Sequence, residues 1–224
     1  MEQIVSTGTV DADFNQRMEN FGVYIIITRP QLSYTAIAEK CVSLGVKMLQ
    51  LREKHLSDKE LIKIGKEIRG ITKGTGTGFV VNDRPDIAVV CDADFLHLGQ
   101  DDMSIEEARK IVGNMKIGLS THSMEQVKAA LAKNPDYIGF GPVYPTNAKA
   151  IPDKPVGTEL LRQVVALSHV PVVAIGGIFP ENVESVIEAG AKNIAMVRHF
   201  MQTDEFDARV RALNEKFVEC KRRE

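Results

Sequence analysis

The chain has no surplus of either charge, no membrane-length apolar run, no cysteine pattern and no glycine-rich dinucleotide turn, and each gap removes a class of function. With 28 Lys and Arg against 30 Asp and Glu, the formal net charge is −2. No global field therefore draws nucleic acid or an anionic membrane to the protein, and any anion it takes must be held by a few local cations. The three cysteines, Cys41, Cys91 and Cys220, are far apart and in no metal-ligand spacing, which argues against a disulfide framework and reads as reduced thiols in a cytoplasm. Cys91 is expected as a buried helix-end residue. The polar start Met1-Glu2-Gln3-Ile4-Val5-Ser6 lacks the charged-then-apolar order of a secretion signal. The expectation is a cytoplasmic protein with one domain over residues 1–224, a polar lead-in over 1–20, no membrane or nucleic-acid partner, and homo-oligomerisation left open.

What is present is an alternation. Short apolar runs rich in Val, Ile and Phe fall at 23–28, 48–51, 78–81, 95–97, 117–119, 137–140, 172–175 and 193–197. Each is too short for a helix and apolar enough for a strand buried on both faces. The spacers have helical period: Leu61, Ile64, Ile68 and Ile71 share one face, as do Phe206, Val210, Leu213 and Phe217. Ser57 with Glu60 three residues on reads as a helix start, and Gly45 and Gly190 as helix ends. Strict alternation implies parallel strands joined by right-handed crossovers, and eight units predict an α/β chain of the (β/α)8 TIM-barrel class. The alternative is a doubly wound open sheet. It is disfavoured because no Gly-x-Gly-x-x-Gly turn follows the first run and the unusual residues are spread over many strand ends. An extra helix over 13–20 is expected to close the barrel bottom.

In a barrel of this kind the residues just after each strand face the catalytic mouth. Strand two runs into Gln50-Leu51-Arg52-Glu53-Lys54, where alternation puts Gln50, Arg52 and Lys54 on one side and Leu51 and Glu53 on the other. A guanidinium fork, an ammonium and an amide suit phosphate oxygens, although in isolation such a triplet is more often a solvated surface pattern. Strand three ends in Asn82-Asp83-Arg84-Pro85 and strand four in His97-Leu98-Gly99-Gln100-Asp101-Asp102. Asp83 and Asp102 could together hold one Mg2+, which prefers one or two carboxylates with waters and substrate phosphate oxygens. The competing reading is that Asp83 or Asp102 merely caps the next helix, as Asp83 before Arg84-Pro85 would do well. Strand five brings Ser120 and His122, with Ser120 or Ser123 as a cap in the alternative. The loop over 141–156 is longer than a βα connection needs. Strand seven ends in Gly176-Gly177 and strand eight in Val197-Arg198, where this fold commonly holds phosphate, although a glycine pair also serves a plain tight turn.

Gln50 to Lys54, Asn82 to Arg84, His97 to Asp102, Gly118 to His122, Gly139 to Lys149 and Ala174 to Ile178, taken together, resemble thiamine phosphate synthase over about residues 24–197. The resemblance implies an enzyme that joins 4-amino-2-methyl-5-(diphosphooxymethyl)pyrimidine to 4-methyl-5-(2-phosphooxyethyl)thiazole, or its 2-carboxy form, releasing pyrophosphate with the help of one Mg2+. It implies that Gln50, Arg52, Lys54, Asn82, Ser120 and Lys149 bind the pyrimidine diphosphate, that Asp83 and Asp102 hold Mg2+, and that Thr146, Gly177, Val197 and Arg198 bind the thiazole phosphate. Arg52, Lys54, Lys149 and Ser120 are the expected catalytic groups, and Leu51, Glu53, Asn147 and Ala148 are counted with the substrate-binding residues. The chain departs from the family pattern at Ala148, where a threonine is common, and at Arg198, where a serine is. A thiazole tautomerase using His122 and a non-catalytic binding barrel are the rival readings. His55, His169 and His199 are expected in surface or packing roles.

Overall fold

The computed structural model describes residues 20–146 and 154–222. Eight parallel strands, β1 (Gly22–Ile27), β2 (Met48–Leu51), β3 (Gly78–Asn82), β4 (Phe95–Leu98), β5 (Lys116–Thr121), β6 (Tyr137–Phe140), β7 (Val172–Ile175) and β8 (Asn193–Met196), pair in chain order and close on themselves. The closing pair sets Val23 opposite Ile194 and Ile25 opposite Met196, which excludes the open doubly wound sheet. Between the strands run α1 (Tyr34–Ser43), α2 (Asp58–Thr72), α3 (Pro85–Val90), α4 (Ile105–Val112), α5 (Met124–Leu131), α6 (Gly157–Leu167) and α7 (Val183–Glu188). The one-turn α8 (Arg198–Met201) and then α9 (Phe206–Lys221) follow β8. Strand β5 outgrows its apolar run because polar Lys116 and Thr121 pair in the ladder with Phe95 and Phe140. The helix expected over 13–20 lies, but for Asn20, outside the described residues, as do Asn147, Ala148 and Lys149. No helix of the described residues is long and apolar enough to cross a membrane.

Alternation along the strands divides their side chains between two cores. Ile25, Leu49, Leu51, Phe79, Val81 and Leu96 point outward and pack under the helices, while Tyr24, Ile26, Met48, Val80, Phe95, Tyr137, Val173 and Ala195 fill the interior with Phe21. Burying each such side chain contributes roughly 1.5–3 kcal/mol. The four apolar residues expected on α9 are all buried. On α2 the buried stripe is Leu61, Gly65, Ile68 and Thr72, with Ile64 and Ile71 at its edge. The stripe is shifted because Gly65 sits against Cys91, where a Cβ would come within 2.6 Å of the Sγ. Cys91 itself caps the C-terminal end of α3 and is buried, as expected.

The helix boundaries are set by local chemistry. Ser57 and Glu60 form a reciprocal capping box at the start of α2, an arrangement whose serine is worth about 1 kcal/mol. Beyond α1, Val46 N–H donates to Cys41 O (2.9 Å) and Gly45 N–H to Val42 O (3.2 Å), so the chain turns out of the helix with its last carbonyls satisfied.

Candidate active site

The C-terminal ends of β2 to β5 gather the first group of polar residues. Gln50 is buried inside the barrel, and its Nε2 donates to Tyr24 Oη at 2.7 Å. Leu51 points the other way into the outer core. Arg52 continues the ladder through N–H to Ile27 O (2.9 Å), and its charge reaches both Asp83 and His97. Glu53 is buried and accepts from Arg29 N–H (2.5 Å) and Tyr34 Oη–H (2.9 Å). Lys54 is exposed and pairs with Asp83, Nζ to Oδ2 2.8 Å. The side chains of Leu51 and Glu53, expected among the substrate-binding residues, face away from Gln50, and both line a cavity with Lys54, Asn82 and Asp83. The pleat turns both outward, where one packs and the other ties the β1–α1 loop to the β2 end. Burial and then the Glu53 carboxylate push the Tyr34 phenol up, keeping it a donor.

Asp83 and Asp102 meet. Asp83 stands at φ 61°, its N–H donating to His97 O at 2.8 Å, and its carboxyl is hydrogen-bonded to that of Asp102. Asp102 also accepts from Gly99 N–H at 2.7 Å. The residue at the N-cap of α3 is Arg84, without a side-chain cap bond, so the capping alternative for Asp83 fails. Arg84 instead holds Asp58 and Asp86, each at 2.6 Å. Burial opposes charge on both members of the pair. In Asp83 it is outweighed by hydrogen bonds from Asp102 and Lys54 and by the charges of Lys54 and Arg52, so this carboxyl lies below its ordinary value. Asp102 is pushed up by burial and by its neighbour Asp83. Two carboxyls this close require a proton or a cation between them.

Beside the acids, in register across β3, β4 and β5, stand Asn82, His97 and Gly118. His97 Nε2 is 2.9 Å from Ser120 Oγ and Nδ1 is 3.0 Å from Tyr137 Oη. Burial, with Arg52 nearby, pulls the imidazole down to about 4 against the opposing pull of Asp83, so it is neutral at physiological pH. Ser123 caps α5, accepting from Gln126 N–H, and leaves Ser120 to the mouth. Gln100 Nε2 donates to Ser120 O at 2.6 Å. His122 Nδ1 lies 2.5 Å from Gly141 O. Sequence reasoning gave no role to His97, Tyr24 or Tyr137. The signal was available, because alternation from Phe95 puts His97 on the inner face next to Ser120.

The β6 to β8 side is built from loops. The connection after β6 is tied at its ends by Val156 N–H to Pro142 O (2.8 Å) and Gly157 N–H to Val143 O (3.1 Å), and Thr146 closes its described part. Gly177, at φ 66°, lies under this loop: a Cβ there would meet Tyr144 O at 2.6 Å and Pro145 O at 2.7 Å. The glycine pair is therefore required by loop packing, whatever else it does. Val197 packs against the interior core. Arg198 is exposed and its guanidinium lies 5.4 Å from the centroid of the Phe179 ring, a cation–π contact. Thr146, Gly177, Val197 and Arg198 thus come from three adjacent strand ends.

A family model described as thiamine monophosphate synthase matches residues 23–200. The chain is 38% identical over 181 residues to the thiamine-phosphate synthase of Chloroflexus aurantiacus, a match covering 81% of this chain and 84% of that protein. It is 39% identical over 184 residues to that of Lawsonia intracellularis, covering 82% and 85%. Among solved structures, a thiamine phosphate pyrophosphorylase from Pyrococcus furiosus superposes with a TM-score of 0.83 at 32% identity, over 91% of this chain and 98% of that one. A 3-hexulose-6-phosphate synthase at 16% identity and TM-score 0.65 shares the fold alone. With the family model matching residues 23–200 and these thiamine-phosphate synthases 38–39% identical over more than four fifths of the chain, the chain belongs to the thiamine monophosphate synthase family.

Proposed function

We propose that the protein is a thiamine-phosphate synthase, a transferase that couples the pyrimidine diphosphate to the thiazole phosphate, or its carboxylated form, and releases pyrophosphate. The observation that carries this reading is the meeting of Arg52, Lys54, Asp83, Asp102 and Ser120 at the ends of four neighbouring strands, beside a neutral histidine. In the reaction the methylene C–O bond breaks heterolytically, both electrons leave with pyrophosphate, and the thiazole nitrogen forms the new C–N bond; from the carboxylated thiazole, the C2–carboxylate bond also breaks and CO2 is lost. No proton must be taken by a strong base. The task of the protein is to neutralise the leaving group and to hold the two rings in line. Arg52 and Lys54 face the leaving oxygens, joined by Lys149, and Ser120 donates a hydrogen bond. On the other side Thr146, Gly177 and Arg198 hold the thiazole phosphate, and Val197 contributes apolar contact.

The donor set fits Mg2+. Asp83 and Asp102 are neighbouring hard oxygen ligands, and a two-carboxylate site leaves the remaining positions to waters and diphosphate oxygens. Among the described residues no group of three or more His, Cys, Asp or Glu could hold a metal, consistent with a site completed by substrate. When bound, Mg2+ supplies positive charge at the departing pyrophosphate. A thiazole tautomerase would have no use for the acid pair. The test is pyrophosphate release from the purified full chain with both substrates, with and without Mg2+. Release should need all three components, and isomerisation of the carboxylated thiazole without release would overturn the assignment.

A further inference from the structure

The barrel interior carries a string of hydrogen bonds that charge neutralisation leaves without a purpose. Gln50 Nε2 donates to Tyr24 Oη at 2.7 Å, Tyr24 Oη is 3.0 Å from Tyr137 Oη, Tyr137 Oη is 3.0 Å from His97 Nδ1, and His97 Nε2 is 2.9 Å from Ser120 Oγ. Five strands contribute one residue each. The string is held in place by packing. The Tyr137 and His97 rings stack with centroids 5.5 Å apart and planes 22° apart. Tyr137 also lies across β5 at Gly118, where a Cβ would come within 2.1 Å of its ring. No residue other than glycine fits at that point with the ring where it is.

With the Gln50 amide turned so that Nε2 faces Tyr24 Oη, counting protons sets the direction of the string. An amide N–H2 only donates, so the Tyr24 oxygen accepts from Gln50, and the single phenolic proton of Tyr24 has Tyr137 Oη as its acceptor. The proton of Tyr137 must then go to His97 Nδ1, which is therefore bare, and the one remaining ring proton sits on Nε2 and is donated to Ser120 Oγ. If the order ran the other way, the buried Tyr24 proton would be left without an acceptor, at the cost of an unsatisfied buried donor. Ser120 thus has its acceptor side engaged from within and its own proton directed away from His97, toward the mouth.

We propose that His97 is a positioning residue: fixed as the Nε2–H tautomer by Tyr137, it makes the Ser120 hydroxyl a donor to an anionic oxygen bound at the mouth. The ligand half of this inference rests on the diphosphate reading above; the tautomer half rests on hydrogen-bond geometry alone. A free hydroxyl can turn either way, and against an anion only one way binds. Polarisation along the string strengthens that donor.

The test has two parts. In the full chain labelled with 15N in its imidazoles, long-range proton–nitrogen correlation should report His97 as Nε2–H, its signal identified by its loss in His97→Gln. In calorimetry with Mg2+ and inorganic pyrophosphate, Tyr137→Phe and His97→Leu should each bind roughly tenfold more weakly. His97→Gln, whose amide nitrogen can still donate to Ser120, should stay near the unmodified chain. Adding Ser120→Ala to His97→Leu should cost little more than Ser120→Ala alone. An Nδ1–H tautomer or an imidazolium at neutral pH overturns the proposal without any variant having to fold. Unchanged pyrophosphate affinity in a folded His97→Leu overturns the positioning role. Failure of the unmodified chain to bind pyrophosphate defeats the diphosphate reading and the donor role together, while the nitrogen spectrum still decides the tautomer by itself.

Discussion

On the β2 to β5 side of the mouth the polar groups hold one another: Lys54 pairs with Asp83, Asp83 with Asp102, Asp102 with Gly99 N–H, and Ser120 with His97. On the β6 to β8 side Gly176 is packed against Pro142 and Gly177 under loop carbonyls, and Arg198 rests on an aromatic ring instead of a carboxylate. The first side is assembled in advance of any ligand. On the second, the exposed Arg198 guanidinium is held by no more than a cation–π contact to Phe179. Groups fixed in advance act on the transition state without reorganising, so changes on the first side should appear mainly in kcat. Changes at Gly177, Val197 and Arg198 should appear mainly in KM for the thiazole.

The comparison can be broken most sharply at its cations. Arg52→Ala, and likewise Lys149→Ala in the loop, should lower kcat by about 10²- to 10³-fold, whereas His122→Ala should stay within about threefold because no proton transfer limits the reaction. Steady-state kinetics with both substrates measures this, and the reverse ranking would refute charge neutralisation as the main task. Next comes the support beneath the first side. Gly118→Ala drives a methyl into the Tyr137 ring, which should cost about 1–3 kcal/mol of stability and lower the thermal midpoint by roughly 2–4 °C per kcal/mol. Calorimetric melting would detect it. Smaller still, Arg198→Ser should change KM for thiazole phosphate by about three- to tenfold with kcat nearly constant; an equal fall in kcat would mean that Arg198 acts in the transition state and that the two sides are not distinct. Last, Ala148→Thr, which returns a hydroxyl, should tighten the thiazole phosphate by no more than about tenfold, one hydrogen bond to an anion.

The barrel was legible because strands buried on both faces leave unbroken apolar runs, and eight of them at helix-length spacing have few other solutions. The first side of the site was legible for a related reason, since a charged residue directly after such a run has only the mouth to face. Arg52 and Lys54 were placed at the mouth that way, and Asp83, Asp102 and Ser120 by lying at or a few residues beyond a strand end. Alternation set Glu53 opposite Gln50, Arg52 and Lys54, but it could not say what the carboxylate would hold. Its real partners, Arg29 N–H and Tyr34, come from β1–α1 sequence far from it. Tyr24 and Tyr137 were passed over because an aromatic residue in a strand reads as packing, and only three-dimensional distances reveal that their hydroxyls meet. The shift of the α2 stripe to Gly65 was hidden likewise, because it depends on Cys91 of another helix.

The pinned ends of the β6–α6 connection have an engineering consequence. Because Pro142 and Val143 on one side are stitched to Val156 and Gly157 on the other, the segment between them is a cassette with a fixed socket. The cost of altering its length is then mostly loop-closure entropy, only about 0.6 kcal/mol for a doubling. Changes of length within this socket leave the strand ladder untouched as long as Tyr144 and Pro145, which pack on Gly177, are kept.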